Sequence, residues 1–218
     1  MIKYPKIKTL YKREEQGQRK VIVDELSCPE FENIKRWRVS EKIDGTNIRV
    51  SLLPDGTVKI AGRTDEAQIY IPLMEKLLGL FTPNKMKAAF WKEGEEPFGA
   101  ILFSEGYGTK IQKGGIYRPD VSFRLFDVFV GGLWLKETDV KDVAEKLGVK
   151  TVPFLESDII SLPETAQGLM HILPRSFVSS EEGGSDSTRP EGIVAREPHG
   201  LLMRNGDRLM WKLKFRDF

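Results

Sequence analysis

Cysteine and histidine are nearly absent from this 218-residue chain: Cys28 stands alone, and His171 and His199 are far apart. No disulfide framework and no Cys/His zinc site can be assembled from that supply, so any metal has to be a hard cation held by oxygens. Long apolar runs are missing as well. Nothing approaches the roughly 20 residues that span a bilayer, and no apolar segment follows the charges of Met1-Ile2-Lys3-Tyr4-Pro5-Lys6. The sequence therefore reads as soluble, unsecreted and intracellular, hence cytoplasmic. The common phosphate-site signatures are absent too. There is no G-x-x-x-x-G-K-S/T, Gly106-Tyr107-Gly108 is not completed to G-x-G-x-x-G, and Gly183-Gly184-Ser185-Asp186-Ser187 is not G-x-S-x-G. P-loop, dinucleotide-fold and serine-hydrolase readings lose their support. An excess of one charge is lacking: 34 Lys and Arg against 32 Asp and Glu leave a net +2, too little to announce a nucleic-acid binder by itself.

What is present suits one substantial core, with 40% hydrophobic and 30% charged residues, and a single domain over 1–218 is the expectation. Charge is uneven along the chain. Residues 1–40 hold ten Lys and Arg against six Asp and Glu, and the stretch from Gly106 to Arg118 carries three cations, two tyrosines and no acid. That second composition suits phosphate contacts and base stacking, or simply a solvated basic loop. Alternation between Arg36 and Arg63, with turn signals at Asp44-Gly45 and Pro54-Asp55-Gly56, predicts an antiparallel meander. A helix is predicted over 72–92, with Leu73, Leu77, Leu78 and Phe81 on one side. Another takes Val140, Val143, Ala144 and Leu147 as its apolar face, Thr138 or Asp139 as N-cap and Gly148 as its end. A third starts at Pro163 and runs to about Leu173. Segments 101–105, 121–130, 191–196 and 208–216 read as strands, and Ser179 to Pro190, with no apolar residue, reads as a flexible loop.

Five segments could carry chemistry. In Lys42-Ile43-Asp44-Gly45 the Asp-Gly pair is also a strong hairpin signal, and Asp55-Gly56 is the same pair without a lysine before it. In Leu209 to Arg216, Leu209, Trp211, Leu213 and Phe215 point one way and Lys212, Lys214 and Arg216 the other. Such a cationic face is a solvated surface or a polyphosphate clamp. Glu105 closes one apolar strand and Glu191 opens another, as edge solubilisers or as oxygen donors to Mg²⁺ or a ribose. Asp127 shares a face with Phe123, Leu125 and Phe129, so it should be buried with a partner, and Phe126 lies on the opposite face.

In chain order, Lys42-Ile43-Asp44-Gly45-Thr46-Asn47, Arg63, Ser104-Glu105-Gly106-Tyr107-Gly108, Phe126-Asp127, Glu191-Gly192-Ile193-Val194 and Lys212-Leu213-Lys214 resemble the ordered motifs of the covalent nucleotidyltransferase superfamily. Its ATP-dependent RNA ligases of the phage-repair and RNA-editing type look most similar, on Glu41-Lys42 before Ile43-Asp44-Gly45-Thr46-Asn47 and on Glu105-Gly106-Tyr107-Gly108. The resemblance implies an α+β fold, an ATP-grasp-like adenylylation domain of mainly antiparallel sheets with flanking helices. Lys42 would attack the ATP α-phosphate and hold AMP, for which its amine must be unprotonated. Glu41, through its backbone, and Phe126, by stacking, would contact adenine, and Glu105 the ribose. Arg63 would lie near the sugar and the reacting strand end. Glu191, with Asp44 and Asn47 through water, would hold Mg²⁺ or Mn²⁺, while Lys212 and Lys214 would bind phosphate. The implied partners are RNA ends or a nicked duplex. DNA ligase, GTP-dependent capping-type and non-catalytic nucleic-acid-binding relatives are the alternatives. Since the chain stops four residues after Lys214, the resemblance covers the nucleotidyltransferase domain and leaves no C-terminal OB-fold expected.

Overall fold

A computed structural model describes residues 2–17, 20–156, 158, 162, 166–185 and 187–218. In chain order the elements are β1 (Lys8–Thr9), β2 (Tyr11–Arg13), β3 (Val21–Leu26), β4 (Arg38–Lys42), β5 (Thr46–Leu52), β6 (Val58–Ala61), α1 (Ile71–Leu80), α2 (Pro83–Phe90), β7 (Ala100–Gly108), β8 (Val121–Val130) and β9 (Leu133–Trp134). They continue with α3 (Glu137–Leu147), α4 (Ala166–Ile172), α5 (Phe177–Glu181), β10 (Gly192–Arg196) and β11 (Met210–Lys214). The architecture is α+β with mainly antiparallel sheets, as expected. The chain divides into two compact units: Met1–Tyr4 with Asp44–Val152, and Pro5–Ile43 with Pro153–Phe218.

The first unit is built on the five-stranded antiparallel sheet β6-β5-β7-β8-β9. One face of β5, with Ile48, Val50 and Leu52, joins Leu102, Leu125 and Val128 in the core that α1, α2 and α3 cover. Strand alternation puts Asn47, Arg49 and Ser51 on the other face. On α3, Val140, Val143, Ala144 and Leu147 are all buried and Gly148 ends the helix in the left-handed region, as the spacing predicts. The helix starts two or three residues earlier than expected, with Lys136 as N-cap, so Thr138 and Asp139 lie in its first turn. The helix predicted over 72–92 is two. Pro83 cannot continue a helix through its missing N–H, and the Thr82 side chain instead accepts from the Lys85 N–H to start α2. Leu78 points outward, 58% exposed, while Leu73 and Leu77 are buried.

The second unit carries the four-stranded sheet β1-β11-β10-β4, antiparallel except for the β1–β11 pair, and the small β2-β3 hairpin. Val39, Ile193, Ala195, Trp211 and Leu213 form its core with Trp37, Phe31 and Leu169. The expected alternation of β11 holds through Leu213. Phe215 leaves the strand in a single 3-10 turn with Arg216 and Asp217, so the face pattern does not extend to the end. The start predicted for the third helix, Pro163, lies outside the described residues; α4 itself runs from Ala166 to Ile172. Ser179–Pro190 is not the open loop expected. Its first residues belong to α5, the Gly184 N–H bonds the Ser179 carbonyl, and the Ser179 hydroxyl donates to the Ser185 carbonyl.

The predicted meander is half right. β5 and β6 pair as a hairpin around Asp55-Gly56, but β4 pairs with β10 and not with β5. Asp44-Gly45 is therefore no hairpin turn; it is where the chain leaves one sheet and enters another.

Candidate active site

Lys42 is the last residue of β4 and faces Gly192 of β10, which in turn faces Lys214 of β11. Neighbouring strands are about 4.8 Å apart, so Lys42 and Lys214 flank a position that has no side chain. Glu191 precedes β10 and is released from strand alternation, and its carboxylate fills that gap. Oε2 is 2.5 Å from the Lys42 Nζ and Oε1 is 2.5 Å from the Lys214 Nζ, with the Arg216 guanidinium at 3.6 Å. Burial pushes the Glu191 carboxyl up, but the charges of Lys42 and Lys214 and their hydrogen bonds more than offset it, leaving it below its ordinary value. Lys212 faces Val194 on the same side of the sheet. Its ammonium is lowered to about 8 by burial, then by Lys214 and Lys42, against the opposing pull of Asp217 and Glu191. Asp217, fully buried, accepts from the Arg13 guanidinium at 2.6 Å and from the Lys214 N–H at 3.0 Å, which holds the end of β11.

Glu41 points to the core side of the same sheet. A buried carboxylate there must be satisfied, and it is: it accepts from the Ser176 hydroxyl at 2.5 Å and from the Phe177 and Val178 N–H groups at 2.8 and 3.1 Å. Its own N–H donates to the Pro153 carbonyl, and Pro153 has no N–H to return. The side chain is thus committed to the start of α5.

The first unit holds the remaining expected residues. Asp44 and Asn47 lie at the entry to β5, and Asn47 faces Glu105 of β7, which faces Arg124 of β8. Glu105 is inside β7, which runs on to Gly108, and does not close it. The buried Arg124 donates to the Tyr107 hydroxyl at 3.1 Å, Tyr107 packs edge-on against Tyr117 at 5.8 Å, and the Tyr117 hydroxyl accepts from the Asp44 N–H at 3.3 Å. Both tyrosines are fully buried, so they cannot offer the base stacking their composition suggested; they brace Asp44 instead. Asn47 Oδ1 is buried with no hydrogen-bond partner among the described residues. A buried amide oxygen is costly in that state, and it is the kind of donor a hard cation or a water on one would satisfy.

Gly45 separates the two Asp-Gly pairs. Gly56 has φ +84°, the conformation a turn glycine supplies. Gly45 has no positive φ, and a Cβ there would meet the Gly106 carbonyl oxygen at 2.2 Å. Close backbone approach to β7, not turn geometry, excludes a side chain two residues after Lys42's neighbour Ile43.

Phe126 owes its position to a bulge. Phe103 faces Asp127 and Ser104 faces Leu125, which leaves Phe126 as the extra residue on β8. The bulge reverses the expected face of Asp127. Phe123 and Leu125 point to the core with Val128, while Asp127 lies on the Phe103 side, buried as predicted, and accepts from the Tyr4 hydroxyl at 2.7 Å. Arg63 is exposed on the loop after β6. The buried Arg49 of β5 holds that loop, donating to the Gly62 carbonyl and the Asp65 carboxylate, both at 2.7 Å. Tyr117 has a bracing role in place of the stacking one expected, and Arg49, Tyr4 and Ser176 were missed from sequence. Only Arg49 leaves a trace there, as a cation in a strand whose alternate residues are Ile48 and Val50.

In the second unit a single sheet presents a strand-end lysine against a buried carboxylate, with cations on the adjoining strand, and the α+β architecture is of the nucleotidyltransferase type. The RNA ligase family matches over residues 35–214, and the chain belongs to that family. Among solved structures it is similar to Naegleria gruberi RNA ligase with PPi, at 20% identity and TM-score 0.61, over 85% of this chain and 52% of that one. Mutant forms of that ligase with ATP and Mn match likewise, one at 20% identity and TM-score 0.61 over 85% and 51%, another at 19% and 0.62 over 97% and 62%. The chain thus spans between half and two thirds of the solved chains it matches. No curated protein sequence matches it. No helix among the described residues is long and apolar enough to cross a membrane.

Proposed function

We propose that this chain is an ATP-dependent RNA ligase working as one adenylyltransferase domain, with Lys42 as nucleophile. The observation that carries the reading is the Lys42–Glu191–Lys214 row beside Lys212, on a chain of the RNA ligase family. Lys42 Nζ, having lost its proton to solvent, attacks the α-phosphorus of ATP. A P–N bond forms, the bond to the β-phosphate oxygen breaks, and pyrophosphate leaves with the electron pair. A 5′-phosphate oxygen of RNA then displaces the lysine, and a 3′-hydroxyl attacks that phosphate to release AMP. Each step is an in-line displacement at phosphorus, so positioning and charge neutralisation are most of the catalysis. Lys212 and Lys214 neutralise phosphate, the Glu41 backbone and the Phe126 ring hold adenine, Glu105 takes the ribose, and Arg63 meets the sugar and the reacting end.

Mg²⁺ or Mn²⁺ is the proposed cation, for which Glu191 would be the carboxylate donor and Asp44 and Asn47 would act through water. Such a cation keeps several waters and shares substrate phosphates. When bound it supplies positive charge to the phosphoryl oxygens. RNA ends or a nicked RNA duplex are the proposed partners, and the cytoplasm the proposed location.

The test is incubation with α-labelled ATP or GTP and Mg²⁺. Label from ATP that is lost in Lys42→Ala is expected, and its persistence in that variant would remove Lys42 as nucleophile. Label from GTP alone would favour a capping-type transferase. Ligation of nicked RNA against nicked DNA then decides the substrate.

A further inference from the structure

The residues that hold Phe126 lead outside the span matched by the family. Tyr4 makes its contacts with the sheet face that bears Phe126. Its ring meets Phe126 edge-on at 5.0 Å, Phe103 at 5.1 Å and Trp134 at 5.4 Å, and its hydroxyl donates to the Asp127 carboxylate at 2.7 Å. Its segment is tied down independently, since Arg49 Nη1 donates to the Ile2 carbonyl at 3.2 Å. Trp134 closes the cluster by packing on Phe103 at 5.3 Å and on Phe129 at 5.0 Å.

A bulge residue has no place in the ladder to fix its direction, so its side chain depends on what packs around it. Here the two residues of the bulge region, Phe126 and Asp127, are both gripped by one side chain from the far end of the sequence. An aromatic edge against a ring face and a hydrogen bond to a buried carboxylate are both net attractive. Together they suffice to select one orientation of the Phe126 ring.

We infer that Tyr4 is a positioning residue for nucleotide binding: it fixes the bulge at Phe126-Asp127 so that the Phe126 ring is presented as a ready-made platform for the adenine base. The inference rests on the reading of Phe126 as the adenine platform. It makes the affinity for ATP depend on a residue outside 35–214.

The experiment measures covalent adenylylation rates of the full chain against ATP concentration for Tyr4→Ala, Tyr4→Phe and Phe126→Ala. Tyr4→Ala should raise KM for ATP by about tenfold with kcat changed less than about threefold, the size of one or two lost interactions. Tyr4→Phe, which keeps the ring, should show a smaller rise of about threefold. If Phe126→Ala raises KM and neither Tyr4 variant does, Tyr4 has no positioning role. Should Phe126→Ala leave KM unchanged, the platform reading itself fails, a different result. If Tyr4→Ala does not fold, as judged by its melting curve, Tyr4→Phe alone decides. Equal losses of kcat and of active-site titre without a KM change would show a merely structural role and overturn the inference.

Discussion

Lys42 and Glu191 are 149 residues apart in sequence, and in the fold the lysine Nζ lies 2.5 Å from the Glu191 carboxylate. The same carboxylate holds Lys214, so one acid fixes two cations that would otherwise repel each other across Gly192. Removing it leaves two partly buried ammonium groups without their counter-charge.

Glu191→Gln should therefore lower lysine adenylylation by at least about a hundredfold, since the nucleophile loses its anchor and a metal its donor. It should also destabilise the fold by roughly 3 kcal/mol, the cost of breaking a buried pair. The Glu191 pKa is depressed from its ordinary 4.5, so its contribution is present above pH 4.5 and is lost as pH falls below it. Urea midpoints of wild type and variant should converge as the pH is lowered through that range.

Lys212, at about 8 against an ordinary 10.5, works in the opposite sense. Below pH 8 the folded protein bears the full penalty of a desolvated charge. Between pH 8 and 10.5 the unfolded chain binds the extra proton, so this group's penalty fades as pH rises. The wild type should gain stability relative to Lys212→Met over that interval. Phosphate binding goes the other way: KM for ATP should climb above pH 8, and Lys212→Arg, always charged, should delay the climb.

Gly45→Ala and Gly56→Ala test whether the two Asp-Gly pairs differ as the structure says. The first drives a Cβ to 2.2 Å from the Gly106 carbonyl and must move backbone next to Lys42, so label should fall by more than about tenfold. The second strains a φ of +84° and pushes a flexible Lys87 end. It should cost about 1 kcal/mol of stability with label retained. Equal loss of label in both would make Asp44-Gly45 an ordinary turn.

Glu41→Ala leaves the Ser176 hydroxyl and the Phe177 and Val178 N–H groups without their acceptor. A loss of about 2–3 kcal/mol is expected, together with faster cleavage between Ser179 and Arg189 in limited proteolysis. Ser176→Ala, which leaves two of the three donors in place, should cost about 1 kcal/mol.

Much of this was legible from residues alone. Alternation marked β8, β10 and β11, the spacing of Val140, Val143, Ala144 and Leu147 marked α3, and the ordered motifs placed Lys42, Glu191, Lys212 and Lys214 in one chemistry. The failures have local causes. A single bulged residue shifts the face of everything after it, which moved Asp127. Short apolar-free stretches look open unless a distant acceptor closes them, and Glu41 is 135 residues before the Ser176 it binds. Tyr107 and Tyr117 read as surface aromatics because nothing in their segment shows that Arg124 and Asp44 await their hydroxyls.

Residue types, their order and the periods that make strands and helices can be read locally, because they depend on neighbours a few positions away. Tertiary structure alone decided which of those residues meet. Glu191 reaches between two lysines because strand register puts Gly192 between them. Gly45 is a glycine because β5 enters against the Gly106 carbonyl, and Phe126 is aimed by Tyr4 because a bulge freed it from the ladder. Register, close backbone approach and bulges are long-range pairings, and no local pattern encodes them.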